Sequence, residues 1–399
     1  MSAELAYLQL KFAQDVCHDE SSDESPKDFF DRDAVKRKAL DILFSSATQK
    51  DVWIIGERRA GKTSTLRLLL NKCRSEEGFV VFEVPWQIIQ SAADFYRAFL
   101  HEMEKILRSG ATPLISDAEV RDASAFWYAY QARKKELADK TVVVGIDEFD
   151  SILKQCAEAD DEEWKKVYST VYRLSDEPGV KVIVAMVRHP NTVEPLRGSP
   201  FALRSEPIEL RPFKETDFVE FVRSYFESLS DTEIQELSRL SGNWPYYAKA
   251  VLHHLLQIDE RNDRRLQMAR IEAVNSIEQT CKHLYAHHWS KDERQALLLL
   301  SSKDLSPEED LARLSLPLRT AFRRLVERGY LTEEARKYRF RVGLIEDWFG
   351  SWIDRELEEH NLGIPDLLRQ MRGGPDPWDQ EPGEISIRIT KEELRRRGF

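Results

Sequence analysis

Between residues 29 and 213 short apolar runs alternate with amphipathic stretches. Residues 51–55, 79–84, 141–146, 180–187 and 206–210 are brief, β-branched and bounded by polar or turn residues, so they predict five strands. Residues 65–72, 92–107, 122–138 and 162–174 place apolar side chains at helical spacing. Strands this apolar are covered on both faces, and regular strand–helix alternation predicts a largely parallel sheet. Beyond Lys214 the strands stop, and residues 216–229, 231–240, 246–258 and 261–288 predict helices. Residues 292–342 read as a compact unit of helices plus a hairpin. In it Leu318, Phe322 and Leu325 form the core stripe of a helix over 315–329, and residues 338–342 are the returning strand. Near the end, residues 385–389 alternate like a strand, and Thr390 with Glu393 forms a capping box for a basic final helix.

The punctuation divides the chain. Residues 1–28 hold a short amphipathic stretch (Leu5, Leu8, Phe12) and an acidic, serine-rich linker. Residues 29–213 are the α/β core, 214–290 a helical lid, 291–345 the helix-and-hairpin unit, 346–371 a further helix and 372–399 a linker and tail. A length of 399 residues suits two or three domains, and 42% hydrophobic with 32% charged residues suits a soluble globular chain. No apolar run approaches bilayer length, and the first residues lack the basic-then-apolar order of a secretory signal. Cys17, Cys73, Cys156 and Cys281 are widely spaced without a C-x-x-C pair, which argues against a disulfide framework or cysteine zinc site and suits a reducing cytoplasm. The net charge of −11 argues against coating nucleic acid by charge alone and leaves room only for a local patch.

The chemistry is concentrated after the first strand. Gly56-Glu57-Arg58-Arg59-Ala60-Gly61-Lys62-Thr63-Ser64 fits G-x-x-x-x-G-K-[ST], the phosphate-binding loop, set between a strand and a helix as that motif requires. The backbone N–H groups would cradle phosphate, Lys62 would reach the β- and γ-phosphates, and Thr63 would place its hydroxyl on Mg²⁺. The strand over 141–146 ends in Asp147-Glu148, at the edge where ligands bind in open α/β sheets. Asp147 would complete the Mg²⁺ shell with Thr63, directly or through water, and Glu148 would polarise the attacking water. Asp150, in the same turn, reads as a solvated loop residue. Arg188 follows the strand over 180–187 and is either a contact for the γ-phosphate that senses its loss or a plain surface arginine. Arg197, Arg204 and Arg211 surround the last core strand, and Arg204 is the first candidate for a finger reaching a neighbouring subunit's nucleotide.

These features resemble the STAND class of AAA+-related ATPases, and within it the prokaryotic branch of archaeal-type ATPases. The resemblance rests on the double arginine in the loop, the Asp147-Glu148 pair, the arginine after the next strand and the helical lid. It spans residues 29–348. It implies a P-loop NTPase core of the ASCE/AAA+ kind, followed by an α-helical lid and a winged-helix domain. Phe29-Phe30-Asp31-Arg32-Asp33 resembles the signature that borders the adenine, with Asp31 in place of its glycine, and so brings in Arg32. Gly242-Asn243-Trp244-Pro245 resembles the Gly-x-Pro signature that lies against the nucleotide, and so brings in Pro245. Residues 339–341, Arg-Phe-Arg, stand where the class has a Met-His-Asp lock, which puts a tightly held ADP state in question.

Arg319, Arg323, Arg324 and Arg328 lie off the core stripe of the helix over 315–329, where a helix-turn-helix unit would read DNA. The acidic total charge favours a regulatory role for this unit over DNA reading. His283 and His287, with Cys281 and His288 nearby, could share a metal, but a structural role is the better reading because no partner completes a site. Trp127, Tyr128 and Tyr130 read as helix packing. The function expected is that of a Mg²⁺-dependent, cytoplasmic ATPase. It would bind ATP and ADP, couple nucleotide state to lid and winged-helix movement, and contact a protein partner or a further copy of itself. A DNA-associated ATPase of transposition or replication is the alternative, and a nucleotide-binding scaffold with negligible hydrolysis a third reading. No membrane contact is expected.

Overall fold

The computed structural model describes residues 33–45, 50–108, 120–137, 139–160, 162–187, 200–258, 264–301, 314–334 and 337–360. They fall into two compact units, Arg32–Arg211 and the chain from Pro212 onward. The expected strand at 385–389, the capping box at Thr390 and the acidic N-terminal segment lie outside the described residues.

The first unit runs α1 (Asp33–Phe44), β1 (Val52–Gly56), α2 (Lys62–Arg74), β2 (Phe79–Val84), α3 (Ala92–Arg108), α4 (Ala123–Lys134), β3 (Thr141–Ile146), α5 (Phe149–Ala159), α6 (Glu163–Asp176), β4 (Val180–Met186), α7 (Pro200–Arg204) and β5 (Glu206–Leu210). The five strands form one sheet in the order β2-β3-β4-β1-β5. Every pairing is parallel, with Val52 opposite both Ile183 and Glu206, and Phe79 opposite Thr141. The sheet is therefore the parallel one that strand–helix alternation implies, and its strand order agrees with the P-loop NTPase core that the resemblance implies. All five strands end on one edge, and β4 lies between β1 and β3.

Burial explains the composition of the strands. Val52 through Ile55 and Val142 through Val144 are buried, as expected for strands covered on both faces. Phe82, Phe95, Phe99, Phe126 and Tyr130 form an aromatic wall on one side, with Tyr96 stacked on Phe126 at 5.0 Å. Each such fully buried ring contributes about 2–3 kcal/mol through removal from water. Trp127 and Tyr130 pack inward, but Tyr128 is 83% exposed. Two helical steps from Phe126 turn it by about 200°, away from the core. Helix α5 begins directly after the acidic pair, where the sequence reading had only a turn.

The second unit comprises α8 (Glu215–Tyr225), α9 (Asp231–Ser241), α10 (Pro245–Leu255), α11 (Arg265–Ser276), α12 (Glu278–His283), a π-helical turn (Leu284–His288), α13 (Lys291–Ser301), α14 (Leu316–Glu327), β6 (Leu331–Glu334), β7 (Lys337–Phe340) and α15 (Gly343–His360). The single helix expected over 261–288 is thus broken. Helix α9 starts with a full capping box between Ser230 and Glu233. Strands β6 and β7 pair antiparallel as a hairpin after α14, with Tyr338 stacked on Phe322 at 4.7 Å. Arg270 on α11 and Asp347 on α15 form a buried ion pair, with Nε donating over 2.6 Å. Among the described residues no helix is long and apolar enough to cross a membrane.

Candidate nucleotide site

The chain leaves β1 at Gly56, where an added Cβ would stand 3.1 Å from the Cβ atoms of Ala60 and Leu210. The loop then curls through two left-handed residues, Arg59 (φ 68°) and Gly61 (φ 89°). At Gly61 the conformation itself, not crowding, calls for glycine, because nothing lies within 4 Å of a built Cβ. Ala60 N donates to the Glu57 carbonyl over 3.1 Å, which closes the turn. Thr65 donates both its N–H and its hydroxyl to the Gly61 carbonyl at 2.9 Å, anchoring the loop to the first turn of α2. Lys62 is buried and its Nζ donates to the Glu57 carbonyl over 3.3 Å. Arg58 is half-buried, Arg59 exposed and Ser64 half-buried. The amino-terminal end of α2 directs its dipole at this loop, an arrangement suited to an anion.

The acids come from the next strand but one. Thr63 Oγ1 donates to Asp147 Oδ2 over 2.7 Å. Asp147 is buried, and its Oδ1 accepts from the Glu148 N–H at 2.9 Å. Burial pushes its carboxyl above the usual range; Glu148 adds to that, while the Thr63 hydrogen bond and Lys62 oppose it. Glu148 holds a left-handed backbone (φ 47°) and is half-buried, with Oε2 accepting from Ser151 Oγ at 3.2 Å. Glu83, at the end of β2, is also pushed up by burial and by Asp147, with Arg67 opposing.

Asp150 corrects the sequence reading. It is not a solvated loop residue. It lies in the first turn of α5, and its Oδ2 accepts from Val187 N at 3.2 Å just past β4. Its other oxygen is buried without a hydrogen-bond donor. Burial and the Glu148 charge push its carboxyl up, against Lys62. The sequence held a signal for the helix, though not for the burial of the acid, since Phe149, Ile152, Leu153 and Cys156 repeat at helical spacing and all are buried.

Hydroxyl and carboxylate oxygens are the donors Mg²⁺ takes, and Thr63 with Asp147 are the pair able to hold it. Among the described residues no group of three or more His, Cys, Asp or Glu is set to hold a metal alone.

Other sequence candidates stand apart. Arg204 precedes β5 and so lies at the amino-terminal edge of the sheet, opposite the loop; it pairs with Asp176 and donates to Ser175. Arg211 is exposed and pairs with Glu209 at 2.6 Å. Arg32, Arg188 and Arg197 lie outside the described residues. Pro245 belongs to the second unit, as the first residue of α10. The turn before it is held by the Asn243 carbonyl accepting from Phe213 N at 2.9 Å and by Trp244 Nε1 donating to the Gly329 carbonyl at 3.4 Å. Arg319, Arg323 and Arg324 are exposed on α14, whereas Arg328 pairs with Glu293 at 2.8 Å. The rings of His283 and His287 lie 4.6 Å apart, and Cys281 beside them is buried, which pushes its thiol up.

Residues 47–192 match the family model described as an AAA domain. No curated protein matches the chain in sequence. Among solved structures, the Walker-type ATPase of Pyrococcus abyssi is similar at 16% identity and a TM-score of 0.56, covering 83% of this chain and 98% of that one. The ORC2 protein of Aeropyrum pernix, in its ADPNP–ADP complexes, is similar at 13% identity and a TM-score of 0.55, covering 86% of this chain and 97% of that one. Identities this low speak to fold alone.

Proposed function

With residues 47–192 an AAA domain on a P-loop NTPase sheet, we propose that the chain is a Mg²⁺-dependent ATPase that works as a STAND-like nucleotide switch. The observation that carries this reading is the 2.7 Å hydrogen bond from Thr63 to Asp147, which joins the phosphate loop to the acid at the end of β3. Lys62 and the N–H groups from Gly56 to Thr63 bind phosphate. Thr63 and Asp147 hold the cation, whose role is to neutralise charge across the phosphate oxygens. Glu148, partly exposed and free of any cation in its own turn, takes the proton of the attacking water. We take residues 214–290 as the lid and 291–345 as the winged helix. Contact with a protein partner, or with further copies of the chain, is the output.

The test compares Glu148→Gln with Lys62→Ala. Glu148→Gln keeps ATP affinity and lowers turnover by about 10²–10⁴-fold, the usual worth of a general base. Lys62→Ala loses nucleotide binding in an equilibrium titration. Equal turnover in wild type and Glu148→Gln rejects the role given to Glu148.

The exposed arginines of α14 favour a second reading, in which this helix rests on duplex DNA. Turnover stimulated by duplex, with an affinity that falls steeply with salt, would support it. Turnover and binding indifferent to duplex would end it.

A further inference from the structure

Glu148 has an unusual backbone for the residue assigned to activate water. A left-handed conformation at a non-glycine residue costs about 1 kcal/mol or more and persists only where neighbours hold it. Several contacts do so. Its N–H is taken by Asp147 Oδ1 at 2.9 Å, and its carbonyl accepts from Ser151 N and Ile152 N at 2.9 and 3.1 Å. These bonds are local and travel with the turn. The contact that ties the turn to another strand is the one from Val187 N, beyond the end of β4, to Asp150 Oδ2 at 3.2 Å.

An acid in the first turn of a helix has an ordinary use, because it complements the helix dipole. Asp150 goes beyond that use. Its carboxylate is turned inward, one oxygen on the neighbouring strand's N–H and the other buried without a donor. Desolvating a carboxylate for a dipole contact worth under ~1 kcal/mol would be a net loss. An anchor that sets where Glu148 stands relative to the phosphate loop accounts for the burial.

We propose that Asp150 is a positioning residue for hydrolysis: it pins the turn carrying Glu148 to the end of β4. The proposal rests on the ATPase reading of the same site. It requires an acceptor at Val187 N and not a negative charge. Burial and Glu148 disfavour the charged form of Asp150, while Lys62 and the Val187 N–H favour it. Asparagine at this position keeps the acceptor, and alanine removes it.

The experiment uses the full chain as wild type, Asp150→Asn and Asp150→Ala, with steady-state kinetics, ADP titration, melting temperature and amide exchange over residues 147–151 and 187. In Asp150→Ala, kcat falls about 10–100-fold while KM and ADP affinity stay within about twofold, the pattern of a lost transition-state arrangement. Exchange at Val187 and in the Glu148 turn rises. Asp150→Asn retains kcat within about threefold and keeps the wild-type exchange pattern. Wild-type kcat in Asp150→Ala overturns the proposal, and so does an Asp150→Asn variant as impaired as the alanine. A loss of ADP affinity in step with a lowered melting temperature also overturns it, by making the role merely structural. A wild type that binds nucleotide without turnover would sink the ATPase reading on its own account. Exchange at Val187 then decides separately whether Asp150 fixes the turn, and unchanged exchange in the alanine variant overturns the pin.

Discussion

Strand β4 is pinned at both ends by a buried carboxylate. At its amino-terminal end Asp51 Oδ1 accepts from Val182 N at 3.0 Å; at its carboxyl-terminal end Asp150 Oδ2 accepts from Val187 N at 3.2 Å. The two ends differ in what answers the remaining oxygen. Asp51 Oδ2 lies 3.7 Å from the Arg204 guanidinium, which also pairs with Asp176, donates to Ser175 and lies over the Tyr172 ring. Asp150 and Asp147 face Lys62, whose Nζ is bonded to a loop carbonyl. Thus one edge closes its charge with arginine from its own chain, while the other gathers acids and a lysine where we propose that phosphate and cation bind. The same device therefore serves architecture at one edge and chemistry at the other.

The largest expected effect separates the two on stability. Burial pushes the Asp51 carboxyl from its ordinary 3.8 to about 7, despite Val182, Arg204 and Lys181. Between about pH 4 and 7 the folded chain then holds a proton that the unfolded chain has released, so this group's contribution falls as pH rises and is lost in full above about 7. Asp51→Asn carries no such titration. Its stability relative to wild type rises by on the order of 4 kcal/mol from pH 4 to pH 8, read from urea midpoints across that range. A pH-independent gap would break the comparison at the amino-terminal edge.

At the other edge the expected change falls on activity. Asp147→Asn keeps an acceptor for the Thr63 hydroxyl but loses the charge that would hold Mg²⁺. Mg²⁺-dependent turnover drops by about 10²–10³-fold, about 3–4 kcal/mol of barrier. The melting temperature of the ligand-free protein holds or rises, because burial already opposes that charge. A melting loss that tracks the activity loss would mean that this edge is architectural too.

How much of this was legible depends on how local each feature is. The phosphate loop and the strands at 79–84, 141–146 and 206–210 are written in short runs, since glycine spacing and β-branched alternation need no distant partner. The union of Thr63 with Asp147 follows from two strand ends sharing one edge. Asp150 and Asp51 were illegible as buried acids, because their burial depends on β4 lying between β1 and β3, a matter of strand order. Helix α5 was hidden by the acidic pair at its start, which looks like a turn although the apolar stripe from Phe149 to Cys156 continues it. The break in the helix over 261–288 has no signal in apolar spacing, and the π-helical turn at Leu284–His288 shows only in the structure.

The smallest effect bears on Arg204, which the sequence offered as a finger for a neighbouring subunit. To serve there its guanidinium must leave Asp176 and Asp51. Arg204→Ala strips the cation beside a buried acid, which costs about 1–3 kcal/mol once the partial exposure of the arginine is allowed for. Asp51 then holds its proton to still higher pH, so the loss is greatest in alkaline buffer and shrinks towards pH 5. Mixing Arg204→Ala with Lys62→Ala tells architecture from a role in trans. Each variant would lack one component, and a finger in trans would restore turnover where an intact arginine meets an intact loop in an assembled pair. The closed ion cluster around Arg204 leads us to expect lowered stability at every protein concentration and no restored turnover. Turnover that returns on mixing would show the amino-terminal edge to be half of a second chemistry, and the contrast between the edges would then hold only within one copy of the chain.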